Sequence, residues 1–517
     1  MTIFLRRTRV ALAGALALTI VLTIAPSISA QPKSAPPKSA QPSSTARGPS
    51  PAAARTVTGA TATPRITNDE FAGRRAALAA ALPGDGALLA IGESEPEKDY
   101  LHFFQSSNFL YLTGVREPDA MLLGIKQRDT TRWVLFVQPR EPSREVWTGR
   151  RVGPDAARDT WGVAGRAASE LASVLDSLAA NGVTTLHLVA DQGVPSRPTA
   201  ADQFVSAFKA KYPAATVKNA SGAVLKLRAY KSDAELALIK RATDITVQAH
   251  RDAARAISAN GYEYEVQAEL ERVFRKHGAD RPSFASIVGS GPNATTLHYN
   301  ANNRQMKAGE MVVVDIGASY DGYAADMTRS YPVNGVFTAE QKAVYQVVRD
   351  AQAAAERQAK AGRPARGMSD SASAMLAAGL TKLGLIEAPD ATYDCSADGA
   401  TKCRQLSLFY MHGLGHGIGL EVHDPDRYSY DDRTLQPGSV FTIEPGIYVR
   451  ENVLDILPKT PRNAQLVEKI RAAVTAYRNI GVRIEDDYIV TANGLEWITK
   501  SPREIAEIEA MMKKTRM

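Results

Sequence analysis

The sequence predicts two globular domains, an α/β domain followed by an α+β domain, and three observations support this prediction. The 517 residues are enough for two or three domains with a sizeable core. Strand-like and helix-like stretches alternate through the first half, which is typical of α/β folds. The second half instead groups long amphipathic helices around a few apolar strands, and some of these strands end on a carboxylate.

The N-terminus has the pattern of an export signal. Three arginines precede the apolar stretch 10–24, and small residues follow it. We therefore expect a signal peptide at 1–30 and a secreted or periplasmic protein. The apolar stretch is short for a membrane span, so a stable span is expected only if the signal stays uncleaved as an anchor. Residues 31–65 are rich in Pro, Ser and Ala and cannot bury a core, which predicts a disordered linker.

The leader also accounts for the net charge of the chain. The first 65 residues contain eight Lys and Arg and no Asp or Glu. Removing these eight from the 62 basic residues leaves 54, against 55 acidic residues, so the rest of the chain is about neutral. The formal charge of +7 is therefore no argument for a nucleic-acid partner, and we expect none.

Residues 66–226 are predicted to form the N-terminal α/β domain and residues 227–512 the second domain. In the first domain we predict strands at 86–91, 120–125, 133–137 and 185–189 and helices at 167–180 and 199–211. In the second domain, a capping box from Ser232 to Glu235 starts a helix that runs to about 257. Further helices are predicted at 262–276, 339–361 and 368–383.

The second domain contains a strand hairpin that carries two aspartates. An apolar run ends on Asp315, and Asp321-Gly322 is the signal for a two-residue hairpin turn. With that turn, Asp315 and Asp326 project from one face about 7–8 Å apart at the backbone, within reach of one ion. Two buried like charges at this distance have to be neutralised or bridged, and a cation would bridge them. The alternative is a surface hairpin with two solvated aspartates.

Three later stretches also carry ionisable residues. His412 and His416 have the i, i+4 spacing of a helical zinc pair, but the glycines between and after them argue against a helix, so that interpretation is rejected. Backbone rich in glycine can instead approach a ligand or a sheet closely. Glu444 ends an apolar strand, and Arg483 and Glu485 share one face of another strand.

Together these residues form a set that suits metal ions. Asp315, Asp326, Glu444 and Glu485 contribute four negative charges, which two divalent cations would cancel, and His416 adds a neutral donor. A carboxylate-rich site of this kind suits Mn²⁺, with Zn²⁺, Co²⁺ or Fe²⁺ as competitors. Two such ions about 3.5–4 Å apart can activate a bridging water and polarise a carbonyl, which is chemistry for hydrolysis.

The short sequence motifs around these residues resemble those of a known family. Val-Asp-Ile-Gly, His-Gly-x-x-His, Val-His-Asp, Ile-Glu-Pro-Gly and Arg-Ile-Glu-Asp-Asp are similar to the pita-bread metallopeptidases, specifically Xaa-Pro aminopeptidase (aminopeptidase P) and its relative prolidase. Stretches 107–119 and 145–151 resemble the N-terminal domain of aminopeptidase P, which methionine aminopeptidases lack. The resemblance implies a creatinase/aminopeptidase P-type α/β N-terminal domain followed by an α+β pita-bread catalytic domain. It also implies five metal ligands: Asp315, Asp326, His416, Glu444 and Glu485.

The same resemblance implies roles for the remaining site residues. His298 and His423 look like the two histidines that contact the substrate and assist proton transfer, and His412 like the one that lines the proline pocket. Arg483 resembles the arginine beside the metals. Glu444 would relay a proton while a metal-bridging hydroxide attacks the carbonyl before proline. We therefore expect an exopeptidase that acts on proline-containing peptides, assembled as a homodimer or homotetramer.

Other functions stay open at this point. Prolidase, which cuts only dipeptides, is the close alternative. A non-catalytic pita-bread peptide-binding protein and a metal-free hydrolase of creatinase type are disfavoured because all five ligand positions are filled.

Cys395 and Cys403 are the two cysteines of the chain. In an exported protein their spacing predicts a disulfide, and half of a metal site is the alternative. They lie in an insertion at 388–404 relative to the family, and a second insertion covers 451–479 with a predicted helix at 463–477. We expect the second insertion at the rim of the cleft or at a subunit contact.

Overall fold

The computed structural model of the chain describes residues 64–96, 98, 102–190 and 199–514. The predicted signal peptide and nearly all of the predicted linker lie outside these residues. Within the described part, no helix is both long and apolar enough to cross a bilayer.

A mixed six-stranded sheet with helices forms the first half. Its strands are β1 (Gly86–Ile91), β2 (Met121–Gln127), β3 (Thr130–Val137), β4 (Ala164–Ala167), β5 (Thr185–Val189) and β6 (Thr216–Asn219). The helices are α1 (Asn68–Ala81), α2 (Ser107–Thr113), α3 (Pro142–Thr148), α4 (Gly153–Trp161), α5 (Leu171–Ala180), α6 (Ala200–Lys211) and α7 (Ser221–Arg228). The strand order is β4-β3-β2-β1-β5-β6, with β1 antiparallel to β2 and parallel to β5. The predicted α/β architecture is confirmed.

The predicted helix at 167–180 is wrong in its first turn. Strand β4 and a 3₁₀ turn (Ala168–Glu170) occupy that part of the chain, and the helix begins at Leu171. The sequence Ala-Gly-Arg-Ala of β4 has little strand propensity. Gly165 is needed there because an added Cβ would lie 2.2 Å from the carbonyl oxygen of Pro154 in α4. Tertiary packing therefore outweighs local preference at this position.

The second half combines long helices with small antiparallel sheets. Its helices are α8 (Asp233–Ala256), α9 (Glu263–Lys276), α10 (Ala339–Gln358), α11 (Arg366–Lys382), α12 (Pro461–Ala476) and α13 (Ile505–Lys514), with 3₁₀ turns at Gly291–Thr295, Gln405–Leu408 and Arg427–Ser429. Its strands are β7 (Arg281–Pro282), β8 (Ile287–Ser290), β9 (Met311–Ile316), β10 (Ala318–Tyr320), β11 (Tyr323–Ala324), β12 (Met327–Pro332), β13 (Thr392–Asp394), β14 (Lys402–Arg404), β15 (Val440–Ile443), β16 (Gly446–Tyr448), β17 (Gly481–Arg483), β18 (Asp486–Thr491) and β19 (Gly494–Trp497). The helices predicted in this half are all present, with ends shifted by a few residues.

Three hydrophobic clusters hold these layers together. Alternate residues of β1 point to opposite faces of the first sheet, so Leu89 belongs to the cluster on one face and Leu88 to the cluster on the other. The cluster around Leu88 continues into the second half through Tyr323 and Ile418. The largest cluster lies between the strands that carry the acidic residues and helices α8, α10 and α11. The strands of the candidate site thus rest on a rigid apolar support.

The two predicted insertions pack against each other. Cys395 and Cys403 form a disulfide that closes the β13–β14 hairpin, as expected. The side-chain amide of Asn463 in α12 accepts from the backbone N–H of Asp394 at 3.0 Å and donates to its carbonyl at 2.9 Å. Glu387 forms ion pairs with both Arg462 and Lys469 of α12.

Candidate active site

The predicted hairpin forms and buries both of its aspartates. Asp321 and Gly322 have φ values of 49° and 84°, as a type I′ turn requires, and Tyr320 pairs with Tyr323 across it. Asp315 and Asp326 are 7% and 5% exposed. The alternative of a solvated surface hairpin is therefore excluded.

His416 lies in an irregular segment, not in a helix. Its backbone N–H donates to the hydroxyl of Thr442 at 3.1 Å, and its carbonyl accepts from the N–H of Thr442 at 2.9 Å. A Cβ on Gly415 would lie 2.1 Å from the carbonyl oxygen of Thr442. Glycine therefore lets this segment run against β15, which confirms that the helical zinc motif had to be rejected.

The ligand-type side chains converge around the imidazole of His416. Its Nε2 lies 3.5 Å from Asp326 Oδ2, 3.6 Å from Glu444 Oε1 and 4.0 Å from Glu485 Oε1. Donor atoms of Asp326, His416 and Glu485 all lie within 4.8 Å of one another. The fifth predicted ligand, Asp315, adjoins this group and is held by Arg483.

The electrostatics of this cluster favour a cation. Burial, and then neighbouring carboxylates, raise the pKa values of Asp326 and Glu485 well above their usual range. Burial raises the pKa of Glu444 to about 8. Among the described residues, Oδ1 of Asp315 and Oδ1 of Asp326 are buried without a hydrogen-bond partner. Orphaned carboxylate oxygens on a buried acidic cluster fit divalent metal ions.

His416 is suited to complete such a site. Burial, with His423 as the next contribution, lowers its pKa to about 4, so the imidazole is neutral at neutral pH. A neutral imidazole is the form that binds metals. Its Nδ1 lies 3.1 Å from the carbonyl of Gly417, which fixes Nδ1 as the donor and leaves Nε2 free to accept or to coordinate.

Arg483 and His412 meet at a buried tyrosine. Arg483 donates to Asp315 Oδ2 at 2.5 Å and to the hydroxyl of Tyr448 at 2.8 Å. His412 Nδ1 lies 2.8 Å from the carbonyl of Gly413, so it donates there, and Nε2 then accepts from the Tyr448 hydroxyl at 2.8 Å. Burial lowers the pKa of His412 to about 4, so this chain of hydrogen bonds runs from a cation to a neutral imidazole.

The other two predicted histidines, His298 and His423, are exposed to solvent. The rings of His423 and His416 have centroids 4.1 Å apart. His298 follows Leu297, whose carbonyl accepts from Arg483 at 3.3 Å. The structure therefore brings the five predicted ligands, His412, His423 and Arg483 to one place, and His298 follows the residue that contacts Arg483.

Sequence reasoning missed three residues that contact this set. They are Thr328, which donates to Glu485 Oε2 at 2.6 Å, Tyr448, and Asp487, which accepts from the backbone N–H of Asp326 at 3.2 Å. Thr328 could have been found, because it lies two residues after Asp326 on the same strand face and opposite Asp315. For Tyr448 no signal distinguishes it from a core aromatic residue.

Comparisons with known proteins agree with the family resemblance found in the sequence. The family model for metallopeptidase family M24 matches residues 237–492, and that for the N-terminal domain of aminopeptidase P matches residues 71–187. The Xaa-Pro aminopeptidase of Escherichia coli K12 is 35% identical over 463 residues, which cover 86% of this chain and 98% of that protein. The human Xaa-Pro dipeptidase is 32% identical over 432 residues, covering 79% and 84%.

A solved structure shows the same fold. Zinc-substituted aminopeptidase P from E. coli in complex with product superimposes with a TM-score of 0.74 at 34% identity, covering 87% of this chain and 99% of that one. The order of an aminopeptidase P N-terminal domain and an M24 domain is therefore shared with these relatives.

Proposed function

The chain belongs to metallopeptidase family M24 and is a metallo-aminopeptidase, and we propose that it releases the first residue from peptides whose second residue is proline. The observation that carries this proposal is the cluster of Asp326, His416 and Glu485, with Glu444 beside it. The similarity to Xaa-Pro aminopeptidases over most of the chain supports the same substrate class.

Two divalent cations, with Mn²⁺ as the first candidate, would be held by Asp315, Asp326, His416, Glu444 and Glu485. When bound, they would activate a water molecule for attack and polarise the scissile carbonyl. The family implies divalent metal ions, and the carboxylate-rich donor set supports Mn²⁺ over softer ions.

The chain's own residues would bind the peptide and move protons. Glu444 would carry a proton towards the departing proline nitrogen. Its Oε2 lies 3.6 Å from Nδ1 of His412, the residue proposed to line the proline pocket, which supports this role. His412, kept neutral and held by Tyr448, would form one wall of the proline pocket. His298 and His423 would contact the substrate from the open side, and Arg483 would fix the orientation of Asp315.

The experiment compares a tripeptide with a dipeptide as substrate. The metal-stripped protein is reloaded with Mn²⁺, and release of the first residue from Xaa-Pro-Xaa is measured beside cleavage of Xaa-Pro. We expect tripeptide cleavage that Asp326→Ala abolishes. Cleavage of the dipeptide alone would favour a prolidase, which the similarity to the human dipeptidase makes the second candidate. Metal binding without either activity would contradict both.

We also propose that the protein is exported. The leader sequence supports this, and the Cys395–Cys403 disulfide is typical of oxidising compartments. Mass spectrometry of protein recovered from a secreted or periplasmic fraction should show a chain cut near residue 30, and an intact leader in the cytoplasm would contradict the proposal. The homodimer or homotetramer stays a prediction, for sedimentation velocity to test.

A further inference from the structure

The hairpin that carries Asp315 and Asp326 is broken at its centre. Its tip, β10 and β11, pairs with β7, whereas its base, β9 and β12, pairs with β8. Asp326 lies between β11 and β12, outside the strands. Gly317 stands opposite Asp326 in the register, but its carbonyl accepts from the backbone N–H of Ser283 at 2.8 Å. The N–H of Asp326 therefore needs a partner from elsewhere.

Asp487 supplies that partner. Its Oδ2 accepts from the N–H of Asp326 at 3.2 Å and from the hydroxyl of Thr243 in α8 at 3.3 Å. Asp487 is fully buried and lies in β18, opposite Thr442 of β15. Its own N–H donates to the hydroxyl of Thr499 at 3.1 Å. A strand and a helix thus fix the carboxylate that holds the backbone of Asp326.

The contact between Asp487 and the site joins the carboxylate of Asp487 to the backbone N–H of Asp326. Among the described residues, the donor atoms within 4.8 Å of one another belong to Asp326, His416 and Glu485; Asp487 is outside this group, as are Asp315 and Glu444. The other oxygen of Asp487, Oδ1, is buried without a hydrogen-bond partner, so the comparison of alanine and asparagine variants below separates a positioning role from that of a ligand. A backbone N–H without a fixed acceptor would let the chain turn at the strand break, and the carboxylate of Asp326 would then leave the position where it faces His416.

We propose that Asp487 is a positioning residue, which holds the carboxylate of Asp326 in place for the metal ion by accepting the backbone N–H of Asp326. This inference rests on the metal site proposed above. Groups that orient a ligand from outside the coordination shell typically change metal affinity or activity about 10–100-fold. We therefore expect metal affinity, not only activity, to depend on Asp487.

The test titrates the metal-free full chain with Mn²⁺ in a calorimeter. Asp487→Ala should weaken the affinity of one bound ion about 10–100-fold, while Asp487→Asn, which keeps an acceptor oxygen of the same shape, should restore it. Asp280→Ala is a matched control at the other end of the same hairpin. Asp280 Oδ2 accepts from the backbone N–H of Gly322 in the turn at 2.8 Å, so its loss should leave metal affinity unchanged.

Four outcomes decide the inference. Wild-type affinity in Asp487→Ala overturns it, and so does an equal loss in Asp280→Ala, which would indicate a general loosening of the hairpin. If Asp487→Ala does not fold, the asparagine variant decides alone. A metal affinity that falls about 10–100-fold in Asp487→Asn would show that Asp487 does not act by accepting the N–H of Asp326. A wild-type chain that binds no ion refutes the proposed metal site itself, and the inference with it.

Discussion

After its metal ions are removed, the protein should lose stability as the pH rises. Asp326, Glu444 and Glu485 are buried together, and without a cation their pKa values are raised, that of Glu444 from 4.5 to about 8. Between these pH values the folded metal-free protein keeps a proton that the unfolded chain has released. The stability linked to Glu444 is therefore fully present below about pH 4.5 and is lost as the pH rises to about 8.

The size of this effect follows from the pKa of Glu444. With values of 4.5 and about 8, the stability linked to Glu444 falls by about 3 kcal/mol between pH 5.5 and pH 8, out of about 5 kcal/mol over the whole titration, at 1.36 kcal/mol per pH unit. For a folded protein of this size the unfolding entropy is about 0.9 kcal/mol/K, so the expected decrease in Tm between pH 5.5 and pH 8 is about 3 °C. Asp326 and Glu485 should add to it in the same direction.

The assay is calorimetric unfolding of chelator-treated protein at pH 5.5 and pH 8, beside protein reloaded with Mn²⁺. The metal-free protein should melt at a lower temperature at pH 8, and the gap to the loaded protein should widen. Glu444→Gln is the matched control, because this neutral isostere removes the part of the pH dependence that comes from the titration of Glu444. The reasoning would be refuted if the Tm of the metal-free wild type changed with pH by the same amount as the Tm of metal-free Glu444→Gln.

Three further predictions concern single contacts. Arg483→Met should lower the free energy of unfolding by about 3–5 kcal/mol, because it leaves the buried carboxylate of Asp315 without its cation. Arg471→Met removes an exposed ion pair and should change this free energy little. Equal urea midpoints for the two variants would contradict the prediction. Replacing Cys395 and Cys403 by serine should cost about 2–3 kcal/mol in the same measurement, and no change would argue against a stabilising disulfide. His423→Ala should lower kcat about 10²–10⁴-fold with metal binding intact, whereas lost metal binding would make it a ligand.

Much of the site could be predicted because its signals are local. Asp321-Gly322 encodes its turn through two residues that tolerate positive φ, and this turn sets the register of Asp315 and Asp326. The motifs that resemble the family then identified the other site residues, which come from distant parts of the chain. No local pattern could have brought them together, because Glu444 and Glu485 meet only after β15 pairs with β18.

What the sequence hid depends on tertiary contacts. Asp487 reads as one of two acidic residues after Glu485, and only the strand break shows which N–H it accepts. Strand β4 was missed because its place in the sheet depends on close packing against α4. The position of the second insertion, at a cleft rim or a subunit contact, stays a prediction, although its helix α12 forms nearly where expected.

The two insertions, 388–404 and 451–479, are separated by 46 residues of the chain but depend on each other for their hydrogen bonds. Asn463 satisfies both backbone groups of Asp394, so removal of either segment strands polar groups on the other. Glu387, which directly precedes the first segment, also pairs with two cations of α12. A trimmed version of the enzyme could therefore not be reached by one deletion at a time. Deletion scanning would find each segment indispensable by itself, and a shorter enzyme would require both to be removed together.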